Sequence, residues 1–104
     1  MAHFLPLAKE AFPALRVSKS KGYLDISRGL LPPPIKTGPR AAAFLAHEVQ
    51  ALIAARAAGL SDGAMRMVVA DLEFLRGNLA GLTEAALLDT TASIVRKYSA
   101  RGLR

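Results

Sequence analysis

Ser18-Lys19-Ser20-Lys21 places two hydroxyls and two ammonium groups on four consecutive residues. Lysine and serine donate hydrogen bonds to phosphate oxygens and to guanine acceptors. Ser18 is a good helix N-cap, because its hydroxyl accepts a bond from an orphan backbone N–H. Lys19, Ser20 and Lys21 then fill the first turn, where the positive helix terminus favours phosphate. Arg28 follows Lys19 by nine residues, about two and a half turns, and is read as continuing the same polyanion-facing surface. A second cluster, Lys36-Thr37-Gly38-Pro39-Arg40, sets cations on both sides of a Gly-Pro turn. Glycine lets backbone approach a phosphate closely, and the flanking cations neutralise it. The plainer alternatives are a solvated amphipathic helix and an ordinary basic turn.

Enzyme chemistry finds little support. His3 and His47 are the only histidines, they lie far apart in sequence, and neither has a carboxylate at metal-ligand spacing. There is no P-loop, no GxGxxG and no nucleophile elbow. No catalytic residue, metal site or cofactor is expected. The absence of cysteine excludes disulfides and fits a reducing compartment. His47, beside Glu48, reads as a surface or helix-start residue. Met65 and Met67 read as packing residues.

These clusters need a scaffold, and 104 residues with 52% apolar content supply one modest domain. The net charge of +6 is uneven. Residues 1–40 hold seven Lys or Arg against Glu10 and Asp25, whereas residues 41–80 hold three Arg against four acids. A basic end of this kind attracts polyanions, nucleic acid foremost. No secretory signal is visible, and the longest apolar run, Ala41 to Ala46, is far too short for a membrane span.

The punctuation predicts the elements. Pro6 to Phe12 reads as a short first helix ended by Pro13. Ser18 opens a second helix with apolar contacts from Tyr23, Leu24 and Ile26, stopped by Gly29. Gly22 is a flaw inside it, worth about 1 kcal/mol against alanine, and suggests close packing there. Pro32 to Pro34 form a stiff extended connector, preferred over a PxxP ligand. Ile35-Lys36 and Ala41 to Phe44, around the Gly-Pro turn, read as a small β-hairpin.

A third helix runs from Leu45 to the stop at Gly59. Ser61 caps a fourth, with Leu60 and Met65 at staple positions. Thr83 caps a fifth, whose stripe is Leu87, Leu88, Thr91, Ile94, Val95 and Tyr98, ended by Gly102. Met65, Val68, Leu72, Leu75 and Leu79 have the spacing of a coiled-coil seam. They are candidates for self-association or, equally, for packing against the fifth helix. The expected fold is therefore mainly α with a small β-hairpin. It is a winged helix-turn-helix over 1–59, followed by a C-terminal helical extension over 60–104.

Val17 to Gly59 resembles the AlpA-like phage regulators and related small excisionases of the MerR-like winged-helix group. The matching residues are Val17-Ser18-Lys19-Ser20, Tyr23, Gly29, Leu31-Pro32, Lys36, Gly38-Pro39-Arg40, Phe44, Glu48-Val49 and Ala54-Ala55-Arg56. Gly22, Asp25 and Phe44 depart from the family's usual residues. The resemblance implies that Ser18, Lys19, Ser20, Lys21 and Tyr23 belong to a DNA-recognition helix, and Lys36, Thr37, Gly38 and Arg40 to a wing. It implies double-stranded DNA as partner, with an integrase beside it, in the bacterial cytoplasm at the nucleoid. An excisionase, or recombination directionality factor, and an AlpA-like transcriptional regulator are both compatible. A protein-interaction module built on the C-terminal helices is the rival from another class.

Overall fold

A computed structural model describes residues 3–100. The chain runs β1 (Phe4–Pro6), a π-helical turn (Leu7–Ala11), α1 (Phe12–Leu15), α2 (Lys19–Ser27), β2 (Ile35–Gly38), β3 (Ala41–Leu45), α3 (Ala46–Ala57), α4 (Asp62–Arg76), a 3₁₀ turn (Leu79–Gly81) and α5 (Glu84–Ala100). It is mainly helical, with one small antiparallel sheet in the order β1-β3-β2.

The expected hairpin is present, with Ile35 opposite Ala43 and Lys36 opposite Ala42. Its outer partner was not foreseen. Phe4 pairs with Leu45, Leu5 with Phe44 and Pro6 with Ala43. A three-residue strand ending in proline carries too little alternation to be read from sequence, and proline is tolerated there because β1 is an edge.

The first helix also departs from expectation. Residues Leu7–Ala11 form a wide turn, in which the Phe12 N–H reaches back to the Leu7 carbonyl. Pro13 does not end it. It sits in the first turn of α1, where a backbone donor is not needed. The stop comes at Arg16, a non-glycine residue at φ 59°, whose N–H bonds the Pro13 carbonyl at 3.1 Å.

Other stops and caps match the sequence. Ser18 Oγ accepts the Lys21 N–H at 3.1 Å, Ser61 Oγ the Ala64 N–H at 3.2 Å, and Thr83 Oγ1 the Ala86 N–H at 3.1 Å. Gly29 and Gly59 take φ +75° and +74° after α2 and α3. The stop expected at Gly102 lies outside the described residues.

One core joins the whole described chain, running from Leu7, Phe12 and Phe44 through Leu52 and Val68 to Val95 and Tyr98. The division expected after Gly59 therefore falls inside a single core and does not separate two. The coiled-coil seam is internal as well. Met65, Val68, Leu72 and Leu75 are buried within the chain, and Leu79 is half-buried in the 3₁₀ turn. Of the two expected readings, packing within the chain is the one observed, and their apolar surface is already covered. In the fifth-helix stripe, Leu88 is the exception and faces solvent.

A buried ion pair fastens α4 to α3. Arg76 donates Nε to Glu48 Oε2 at 2.7 Å and Nη2 to Oε1 at 2.9 Å. Its Nη1 donates to the Pro33 carbonyl at 3.0 Å. Glu48 Oε1 also accepts the Leu45 N–H at 3.3 Å, the acid half of a capping box. Pro32 is buried and the Pro33 carbonyl is occupied, as a structural strut requires and an exposed peptide ligand does not.

Candidate nucleic-acid interface

α2 owes its position to Phe12. The Phe12 ring stands edge-on to Tyr23 with centroids 5.4 Å apart and edge-on to Phe44 at 6.3 Å. It thus joins α1, α2 and the central strand of the sheet. Against expectation, Tyr23 and Leu24 are largely exposed, and the inward face of α2 consists of Gly22, Asp25 and the half-buried Ile26.

That orientation leaves the outer face of α2 looking across an open groove of about 640 Å³ to the hairpin. Lys19 and Tyr23 line one side, Lys36, Thr37, Gly38, Pro39 and Arg40 the other, and Lys9 of the π turn closes one end. Four cations line this groove and no carboxylate does. Opposed charges would cancel its field, so an acid-free wall gives it a sustained positive potential. Tyr23 adds a flat aromatic edge held by Phe12.

The groove unites six of the ten candidate DNA contacts. Ser18 and Ser20 are exposed at the start of α2 but do not line it. Lys21 turns away. Its Nζ lies 2.5 Å from Asp25 Oδ1, and it borders a different pocket with Arg56 and Asp62. Arg28 is also not among the lining residues. Nine helical residues amount to two and a half turns, so the extra half turn places it opposite Lys19, which corrects the expected shared face. The Arg28 carbonyl instead accepts Arg66 Nε at 2.8 Å.

Lys9 is the groove residue that sequence reading missed. Nothing in its local pattern marks it, because it reaches the groove only through the pairing of β1 with β3. The surface placement expected of His47 is corrected. His47 sits at the start of α3, as expected, but is buried. Burial pushes its pKa below the usual histidine value, Glu48 partly opposes this, and Arg76 adds to it. His3 and His47, distant in sequence, border one small cavity with Gln50 and Glu84. No group of three or more His, Asp or Glu side chains placed to hold a metal occurs among the described residues. No helix among them is long and apolar enough to cross a membrane.

Comparison of the chain with protein-family models, curated proteins and solved structures gave no match in any of the three.

Proposed function

We propose that the chain binds double-stranded DNA through the groove between α2 and the β2–β3 hairpin. The observation that carries this reading is the acid-free wall of Lys9, Lys19, Lys36 and Arg40, brought together from the π turn, α2 and the hairpin. α2 enters the major groove with its N-terminal turn leading, and the hairpin lies against the adjacent backbone as a wing. Phosphate neutralisation supplies affinity, and base contacts from the first turn together with DNA shape supply selectivity.

The biological role follows the sequence resemblance: a recombination directionality factor that occupies sites beside an attachment site and biases an integrase toward excision. This role places it at the bacterial nucleoid. The capped α2, the basic hairpin and the proline strut that separates them support that reading, as they equally support a regulator at a promoter.

The test is duplex affinity at fixed salt for the wild type, Lys19→Ala and Arg40→Ala. Both variants should bind more weakly. An undetectable wild-type affinity, or affinities unchanged in both variants, overturns the DNA-binding reading. Stimulation of integrase-driven excision in a reconstituted reaction supports the recombination role. Promoter occupancy without any such stimulation supports regulation instead.

A further inference from the structure

The first turn of α2 carries two lysines, and the structure treats them differently. Residues two apart on a helix point some 200° away from each other, so Lys19 and Lys21 cannot share a face. Lys19 faces the hairpin across the groove, whereas Lys21 lies beside Asp25, one turn further along α2. Asp25 is 1% exposed, the most deeply buried acid after Glu48. Its Oδ1 accepts Lys21 Nζ at 2.5 Å, and its Oδ2 faces Arg56 Nη2 of α3 at a looser 3.4 Å. A desolvated carboxylate deprived of its partner is costly, so the closer cation is held in place. Were Lys21 to swing out to a phosphate, Asp25 would keep only the longer contact.

We infer that Asp25 is a specificity-determining residue: it acts as an internal counterion that withholds Lys21 from DNA, so that α2 offers one lysine to the duplex instead of two. This rests on the DNA-binding reading above and deepens it. Phosphate contacts are sequence-independent, and each one raises affinity for every duplex alike. Withholding one lowers the background of non-specific binding while leaving the groove-facing contacts of Lys19 and Arg40 intact. The main-chain carbonyl of Asp25 also accepts the Leu30 and Leu31 N–H groups at 2.9 and 3.3 Å, and an asparagine in its place keeps those bonds.

The number of phosphate contacts can be read from the salt dependence of binding. Wild type, Lys19→Met, Lys21→Met, Asp25→Asn and the Asp25→Asn/Lys21→Met double variant would be titrated with a labelled mixed-sequence duplex between roughly 50 and 200 mM salt. Each phosphate contact adds about 0.9 to the slope of log K against log salt, or about a 3.5-fold change in affinity over that range. Lys19→Met should lose one such increment, and Lys21→Met should keep the wild-type slope. Asp25→Asn should gain one, and the double variant should return to wild type. Circular dichroism reports folding of each variant, and where Asp25→Asn fails to fold the two lysine variants decide alone. A Lys21→Met slope as shallow as that of Lys19→Met, or a folded Asp25→Asn with the wild-type slope, overturns the inference while leaving DNA binding standing. A wild type that binds no duplex removes both.

Discussion

The Phe12 ring fills the space that a side chain on Gly22 would need. A Cβ built on Gly22 would lie 2.5 to 2.7 Å from three carbons of that ring. The glycine weakens α2 as an isolated helix, yet it lets the helix backbone close onto the Phe12 ring. A local cost in propensity is offset by a tertiary contact.

Gly22→Ala therefore reverses the usual helix rule. On an open helix face the change would stabilise by about 1 kcal/mol. Here the methyl group meets an aromatic ring locked between Tyr23 and Phe44, and overpacking of this kind costs about 1–3 kcal/mol. Chemical denaturation should show net destabilisation, and α2 displaced from the hairpin should bind duplex more weakly. A variant as stable as the wild type would show that Phe12 yields freely.

How far the sequence announced this arrangement depends on the range of the interactions. Ser18, Ser61 and Thr83 act within three residues, so their caps are legible from residue type alone. Gly29 and Gly59 likewise stop their helices locally. The hairpin is legible because its turn chemistry and both strands are contiguous. What escaped detection depends on distant partners. β1 exists because β3 offers it an edge, and Lys9 reaches the groove by that route. Asp25 departs from the residue the resemblance leads one to expect, and its partner Arg56 lies 31 residues away on α3. The seam from Met65 to Leu75 has the same period whether it covers a second copy or the chain's own α3 and α5. Only the three-dimensional packing separates these, and it selects the chain's own core.

Arg76 and Glu48 form the strongest polar tie between α4 and the N-terminal half. Glu48 is fully buried and Arg76 largely so, with both guanidinium–carboxylate bonds short. Arg76→Ala strands a buried carboxylate and also frees the Pro33 carbonyl. It should cost about 3–5 kcal/mol in denaturant unfolding. The double change Arg76→Leu/Glu48→Leu removes both charges and should recover much of that loss. A single variant within 1 kcal/mol of wild type, on the order of an exposed pair, would contradict the burial of this bridge.

Folding of the N-terminal half should depend on α5. Val95 and Tyr98 belong to the common core, and the Tyr98 hydroxyl donates to Asp71 Oδ2 at 2.7 Å. That acceptor, together with burial, raises the Tyr98 pKa, while the adjacent Lys97 works against the rise. Tyr98→Phe deletes one hydrogen bond and should cost about 1 kcal/mol. Tyr98→Ala also opens a cavity and should cost about 3–5 kcal/mol. Equal losses in the two variants would mean that the ring itself contributes nothing to the core.

His47 gives stability a defined pH dependence. The ring is 3% exposed, and neither nitrogen has a hydrogen-bond partner. Burial holds its folded pKa below the ordinary 6.5, with Glu48 opposing and Arg76 reinforcing the shift. His3 and Glu84 border the same cavity. Between the depressed folded value and 6.5 the unfolded chain binds more protons, so unfolding free energy rises with pH across that window. Stability is complete above about 6.5 and declines as acid charges the ring. His47→Leu should flatten this decline. At neutral pH it should cost little, because it removes a buried polar group that makes no bond. Denaturant titrations at pH 5 and pH 7, with His3→Ala as the control for the second histidine, measure the effect. A leucine variant that keeps the wild-type difference between the two pH values would assign the dependence to another group.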